Sequence, residues 1–267
     1  SCIISPNNLL MEQFKASMKV SVILPAYKEE STIGEAIKRV DYVLKETGFD
    51  YEIIVVDDGS DDATKDRALR CARNNSHVKV VSHPNNMGKG AAVRTGFSHS
   101  TGDLVAFMDS DLEIDPRSLQ MYFRVLEDAD IAIGSKWHPQ SKVKTPFIRR
   151  FLSRSFYALA RLLVGVNASD TQVGLKAFRR EALEKILRVQ LVKRYAFDVE
   201  LLAVASLLNL KIVELPVNMH LAAKFSLIEI FRMLQELLGI AYRLRLLKWY
   251  QKSMVDDEPE HKLVLRT

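Results

Sequence analysis

Short apolar runs alternate with longer segments of helical period along the first half of the chain. Lys19–Leu24 (KVSVIL) is apolar and β-branched and ends at Pro25, which predicts a strand with a stop. Ser31–Lys45 places Ile33, Ile37, Val40 and Leu44 at helical spacing, with Ser31 or Thr32 available as a cap. The alternation continues with strands at Tyr51–Val56, Val78–Ser82, Leu104–Met108 and Asp130–Gly134. Between them the pattern predicts helices at Ala63–Asn74, Gly90–Ser98 and Arg117–Glu127. Such spacing predicts an α/β architecture, a mostly parallel sheet flanked by helices. Sheets of this kind take ligands beyond the carboxyl ends of their strands.

Beyond residue 140 the pattern changes. Lys142–Val164 sets Arg149, Arg150, Arg154 and Arg161 among Phe, Leu and Tyr. Helices are predicted at Arg180–Val189 and Phe197–Leu208, and a strand at Ile212–Leu215, stopped by Pro216. From Ser226 to about Gln251 one long helix is expected, its apolar face built from Leu227, Ile230, Phe231, Leu234, Leu237, Leu238, Ala241 and Leu244. Arg232, Glu236 and Arg243 form its polar stripe. The expected organisation is an N-terminal extension or arm over 1–17, an α/β domain over 18–222, amphipathic helices over 223–253 and a disordered tail over 254–267.

Candidate chemistry sits at the predicted strand ends. The Leu104–Met108 run stops at Asp109, Asp111, Glu113 and Asp115, and clustered carboxylates at the end of a core strand call for a cation. Hard oxygen ligands in an open site suit Mg²⁺ or Mn²⁺, with phosphate oxygens of a substrate completing the shell; a solvated acidic turn capping the next helix is the plainer reading. VVDDGSDD (55–62) can hold a base N–H or serve as an Asx turn, and NNMGKG (85–90) can face an anion or simply turn the chain. The latter is no Walker loop, because GxxxxGK[ST] is absent.

Charge and cysteine count narrow the partners. The 267-residue chain carries a net +5, with acids gathered in 50–66 and 109–115 and bases in 136–161 and 224–252. That excess suits a nucleic acid, an anionic membrane or a phosphorylated substrate. Two cysteines, Cys2 and Cys71, build no disulfide framework and have no metal-site spacing. No window of about 18 apolar residues predicts a membrane span, and 1–17 lacks the pattern of a signal peptide.

The order of the motifs carries more than any one of them. ILPAYKEE (23–30), VVDDGS (55–60), NNMGKGAAVRTG (85–96) and MDSDLEIDP (108–116) fall at successive strand ends. IAIGSKW (131–137), IRRFLSR (148–154), SDTQVGLKAFRR (169–180) and FDVELL (197–202) follow. In this the chain resembles the family 2 glycosyltransferases of the GT-A fold, a Rossmann-like α/β arrangement. Within them it is most similar to the dolichyl- or polyprenyl-phosphate glucose and mannose synthases.

The resemblance implies a nucleotide-sugar pocket at Pro25, Ala26, Tyr27, Glu29, Asp57 or Asp58, Lys89 and Ser110. It implies Mg²⁺ or Mn²⁺ on Asp109 and Asp111, with Glu113 as a third ligand where many relatives carry Gln. Lys28 replaces the Asn common in the first motif. Lys136, Arg149, Ser153 and Lys224 match positions that hold the acceptor phosphate, so Asp109, Asp111, Lys136 and Arg149 form the expected catalytic set. Asp198 and Glu200 fall where other members place a base. The implied reaction is inverting transfer from a nucleotide-sugar, UDP-glucose favoured over GDP-mannose, to a polyprenyl or dolichyl phosphate. The implied setting is the cytoplasmic face of a membrane, with no nucleic acid as partner. Trp249 and Tyr250 are expected at the water boundary of interfacial helices. A scaffold protein at the membrane surface is the non-enzymatic alternative.

Overall fold

The computed structural model describes residues 18–144, 147–166, 168–220 and 227–255. Seven strands form one sheet: β1 (Lys19–Ala26), β2 (Asp50–Asp57), β3 (Val78–Ser82), β4 (Leu104–Met108), β5 (Ile131–Ser135), β7 (Leu175–Arg179) and β8 (Ile212–Pro216). Their spatial order is β3-β2-β1-β4-β7-β5-β8. All neighbours pair in parallel except β7, which runs antiparallel to both β4 and β5. A small sheet pairs β6 (Lys142–Lys144) with β9 (Asn218–His220).

The helices are α1 (Ile33–Thr47), α2 (Thr64–Arg73), α3 (Lys89–His99), α4 (Leu119–Val125), α5 (Phe147–Val164), α6 (Arg180–Val189), α7 (Phe197–Leu207), α8 (Leu227–Ala241) and α9 (Trp249–Val255). Helix α1 buries Ile33, Ile37, Val40 and Leu44, the positions its period predicts. The region expected as one helix over 117–127 instead begins as a 3₁₀ turn at Pro116–Ser118, capped by the Asp115 side chain, before α4.

Strand order decides where a ligand can sit. From β1 the chain moves outward through β2 and β3, then returns to place β4 on the other side of β1. The crevice between the ends of β1 and β4 is therefore the topological switch point. β1, β2, β4 and β5 share one direction, so the segments after Ala26, Asp57, Met108 and Ser135 meet at one edge. The antiparallel β7 begins at that edge, which carries residues 170–174 there as well.

A buried carboxylate ties the opposite end of the sheet together. Glu52 on β2 accepts hydrogen bonds from Ser21 Oγ at 2.8 Å, the Thr101 amide at 2.6 Å and Lys79 Nζ at 2.6 Å. Burial works to raise its pKa, but these donors outweigh it and hold the carboxyl at about 2.

The C-terminal region departs from a single amphipathic helix. Helix α8 passes into a π-helical turn at Tyr242–Leu246, and Lys248, with φ of 51°, breaks the run before α9. Leu237, Ile240 and Tyr250 are fully buried in one core with Phe156, Ala160, Val199 and Leu202. Tyr250, expected at a water boundary, is thus interior, and its hydroxyl donates to Glu200. Two members of the expected polar stripe also turn inward: Glu236 accepts the Ala196 amide at 2.7 Å, and Arg243 lies 3.5 Å from Glu200. An amphipathic pattern reports which residues are apolar, and the π turn rotates which of them face the core. Among the described residues no helix is long and apolar enough to cross a membrane.

Candidate active site

A cavity of about 610 Å³ opens at the switch point. Its wall includes Pro25, Ala26, Tyr27 and Glu29 from the end of β1, Asp58 after β2, and Asp109, Ser110 and Asp111 after β4. Lys89 at the start of α3 and Asp198 on α7 close another side. Nine of the expected donor and metal residues thus come together here: Pro25, Ala26, Tyr27, Glu29, Asp58, Lys89, Asp109, Ser110 and Asp111.

The acidic turn is anchored on both sides. The Asp109 amide donates to the Gly174 carbonyl at 3.0 Å, and Ser110 Oγ donates to the Pro25 carbonyl at 2.9 Å. Leu112, with φ of 64°, then reverses the chain, and Asp111 Oδ1 accepts the Glu113 amide at 2.9 Å. Asp109 and Asp111, two residues apart, face one cavity, and the turn carries them clear of the sheet edge. It sends Glu113 elsewhere: that residue lines a neighbouring hollow with Lys38, Arg39, Tyr42 and Arg117. The expected third ligand is therefore not on the wall with the other two, and among the described residues no group of three His, Cys, Asp or Glu forms a ready metal cluster.

Two carboxylates on an open wall still fit a divalent ion that keeps waters and takes phosphate oxygens. Burial, and then the charge of Asp109, push the Asp111 carboxyl up to about 6. Such uncompensated negative charge is what a bound cation relieves.

Asp57 and Asp58 part company. Asp58 receives the Met87 amide at 2.9 Å and the Gly88 amide at 2.7 Å, and His83 Nδ1 lies 2.7 Å from it. It pins the glycine loop to the cavity rim. Asp57 is buried behind it, accepting the Ser60 amide at 3.2 Å. Gly88, with φ of 99°, runs so close to the next segment that a Cβ there would lie 2.4 Å from the Lys193 carbonyl.

Lysines and aspartates alternate beneath the cavity. Lys89 Nζ is 2.6 Å from Asp109 Oδ1 and 3.8 Å from Asp198 Oδ2. Lys176, 1% exposed, donates to Asp198 Oδ1 at 2.6 Å and to the Val173 carbonyl at 2.8 Å. Burial works to raise Asp198, but Lys176 and Lys89 outweigh it and hold the carboxyl below its usual range. Burial alone would lower Lys89, yet Asp109 and Asp198 raise it. Asp198, paired with two ammonium groups, is a poor general base. Glu200 is fully buried, accepts the Leu191 and Val192 amides at 3.0 and 2.6 Å, and is not on the cavity wall.

Of the expected acceptor residues, Lys136 and Ser153 are not on that wall. Lys136 Nζ is 3.5 Å from Asp170, which also accepts the Lys136 amide at 2.9 Å, and its charge reaches Asp198. Arg149 and Ser153 are on α5, with Ser153 half-buried; Lys224 lies outside the described residues. Arg150 and Arg154 stack on Trp137 at 5.6 and 4.8 Å from the ring centroid, tying α5 to the segment after β5. Arg194, Tyr195, Asn86 and Glu229 also line the cavity. Of these, only Asn86 falls in a motif, NNMGKG; Arg194, Tyr195 and Glu229 fall in none. Arg194 reaches the site by donating to Asn86 Oδ1 at 2.6 Å, across 108 residues of sequence.

With this geometry in hand, the likeness to other proteins is informative. The family described as Glycosyl transferase family 2 matches residues 21–187. Dolichyl-phosphate beta-glucosyltransferase ALG5A of Trichomonas vaginalis is 33% identical over 249 residues, covering 88% of this chain and 76% of that protein. The dolichyl-phosphate beta-glucosyltransferase of Mus musculus is 35% identical over 216 residues, covering 75% of this chain and 67% of the relative. Among solved structures, glucosyl-3-phosphoglycerate synthase from Mycobacterium tuberculosis in complex with Mn²⁺ and UDP-glucose has a TM-score of 0.67 at 23% identity. The match covers 87% of this chain and 81% of that one. That likeness shows the fold, the GT-A arrangement expected from the motifs.

Proposed function

The chain belongs to glycosyltransferase family 2, and from that premise we propose that it transfers glucose from UDP-glucose to dolichyl phosphate or a similar polyprenyl phosphate. The products are a lipid-phosphate sugar with inverted anomeric configuration and UDP. The observation that carries this reading is the convergence of Asp109, Asp111 and Lys89 with the Pro25–Tyr27 segment at one cavity, in a chain related to dolichyl-phosphate beta-glucosyltransferases.

Asp109 and Asp111 would hold a divalent ion, Mg²⁺ or Mn²⁺. When bound it neutralises charge on the leaving diphosphate. Pro25, Ala26, Tyr27, Glu29 and Ser110 shape the donor pocket, and Asp58 sets the loop that presents Lys89. Asp57 supports that corner from behind. The acceptor needs no strong base, because a phosphate oxygen is already ionised near neutral pH. It does need cations, since two anions must approach each other. Lys136, oriented by Asp170, together with Arg149, Ser153 and Lys224 supplies charge-assisted hydrogen bonds to the acceptor phosphate.

The test is direct. Purified protein with dolichyl phosphate and Mg²⁺ or Mn²⁺ should form lipid-linked sugar from UDP-glucose faster than from GDP-mannose or UDP-N-acetylglucosamine. Preference for GDP-mannose would reassign the donor; no transfer from any donor would overturn the reading.

The lipid acceptor places the protein at a membrane, in this proposal its cytoplasmic face. Ile228, Phe231 and Leu238 follow one stripe of α8, which Tyr242 continues into the π turn, and are 64, 60, 59 and 53% exposed in that order. Arg154 and Arg161 on α5 are exposed as well. An exposed apolar stripe beside cations suits the interface of an anionic bilayer. Replacing Phe231 and Leu238 together by Ser should weaken sedimentation with anionic vesicles by more than about tenfold, with melting temperature retained. Equal partitioning of variant and parent would remove α8 from the membrane surface.

A further inference from the structure

The carboxylate assigned to the metal already has a cation on it. Lys89 Nζ lies 2.6 Å from Asp109 Oδ1, on the same cavity wall as Asp111. A divalent ion arriving alone must displace that ammonium, which then needs another anion. One is built in: Asp198 presents Oδ2 to Lys89 at 3.8 Å while Lys176, beneath it, holds Oδ1 at 2.6 Å. The ammonium groups of Lys89 and Lys176 lie 5.5 and 5.6 Å from the centroid of the Phe107 ring, so both are confined in the same corner. Asp198, shared with Lys176, is only half available. The remaining anion must come from the ligand, and a nucleoside diphosphate brings it.

We infer that Lys89 is a counter-ion latch: it keeps the metal weakly bound until a diphosphate arrives to take the ammonium from Asp109. Metal and donor then enter together. Asp198, fixed by Lys176, is the positioning residue that retains Lys89 at the cavity once Asp109 is engaged. The inference rests on the proposed metal role of Asp109 and Asp111, and it assigns to Lys89 a task apart from binding the donor, namely competition with the metal. Competition of this kind has a sign that a merely structural or donor-binding lysine would not share. Removing such a lysine should strengthen metal binding in the absence of nucleotide.

The experiment is a Mn²⁺ titration of the full chain, followed by the electron paramagnetic resonance signal of free Mn²⁺, with and without UDP. The parent should bind Mn²⁺ weakly alone and more tightly with UDP. Lys89→Met should bind Mn²⁺ alone roughly tenfold or more tightly than the parent, since one opposite charge shifts a carboxylate's cation affinity by at least that factor. Its gain on adding UDP should shrink. Lys89→Arg, which keeps the charge, should behave as the parent does. Lys89→Gln serves as a second neutral variant should Met prevent folding, as judged by melting temperature. Neutral variants that bind Mn²⁺ alone no more tightly than the parent would overturn the latch while leaving the metal assignment in place. Absence of Mn²⁺ binding by every protein, even with UDP, would remove the metal assignment and the latch with it.

Discussion

Asp111→Asn should lower glucosyl transfer by about 10³-fold, because it removes one of the two cavity carboxylates proposed to hold the metal. The same change should leave the metal-free protein at least as stable as the parent. The sign follows from the pKa. Burial and the neighbouring Asp109 charge raise the Asp111 carboxyl to about 6. A carboxyl whose folded pKa exceeds its unfolded value destabilises the fold when ionised. That penalty grows as pH rises from the unfolded pKa and is complete above about 6. A neutral amide carries no such penalty, so turnover and melting temperature should move in opposite directions at pH 7.5. Parent-like turnover would remove Asp111 from the site. A steep fall in melting temperature would show that its role is structural.

Gly174→Ala should be nearly as damaging, although Gly174 carries no side chain for chemistry. A Cβ at that position would lie 1.9 Å from Asp109 Oδ2 and 2.4 Å from Asp109 Cγ. The backbone has little room to retreat, since Gly174 accepts the Asp109 amide and leads directly into β7, which is paired on both sides. The Asp109 carboxylate must therefore rotate away from Lys89 and the cavity. A fall in turnover of about 10²-fold is expected, with a stability loss of about 1–3 kcal/mol from overpacking. Kinetic assays beside urea unfolding would separate the two. Full activity in a folded Gly174→Ala protein would mean that the orientation of Asp109 is not what the site needs.

These two positions differ in how legible they were. Asp111 stands in a run of acids after an apolar strand, where composition alone asks for a cation. Gly174 stands in DTQVGLKAF, which continues the family resemblance but whose local pattern marks no strand and no role for the glycine. Leu175–Arg179 (LKAFR) mixes apolar and basic residues without a regular period, yet it fills the gap between β4 and β5. Its burial on both sides comes from those neighbours, not from its own period. The same holds for Tyr250 and Glu236, which an amphipathic pattern assigns to the outside. Tertiary packing of α8 and α9 against α5 and α7 brings them in.

Glu113 is the converse case. The family resemblance implies a third ligand there, but after the positive φ at Leu112 Glu113 lines the adjacent hollow. Spacing along a chain fixes distance only where the backbone is regular, and Leu112, between Asp111 and Glu113, is where it is not.

Apolar period was enough to place the parallel strands and the helices between them, and the strand-end motifs, with the resemblance they carry, marked the acids, lysine and backbone segments that line the cavity. Parallel strands point their carboxyl ends one way, so residues at those ends meet whatever the details of packing. Only the folded structure decided the antiparallel strand β7, the aspartates and lysines that alternate from Asp109 to Lys176, and the inward face of the C-terminal helices. Each depends on pairing between segments tens of residues apart, and that pairing is set by competition for a shared core and for buried charge partners, which no local window of sequence contains.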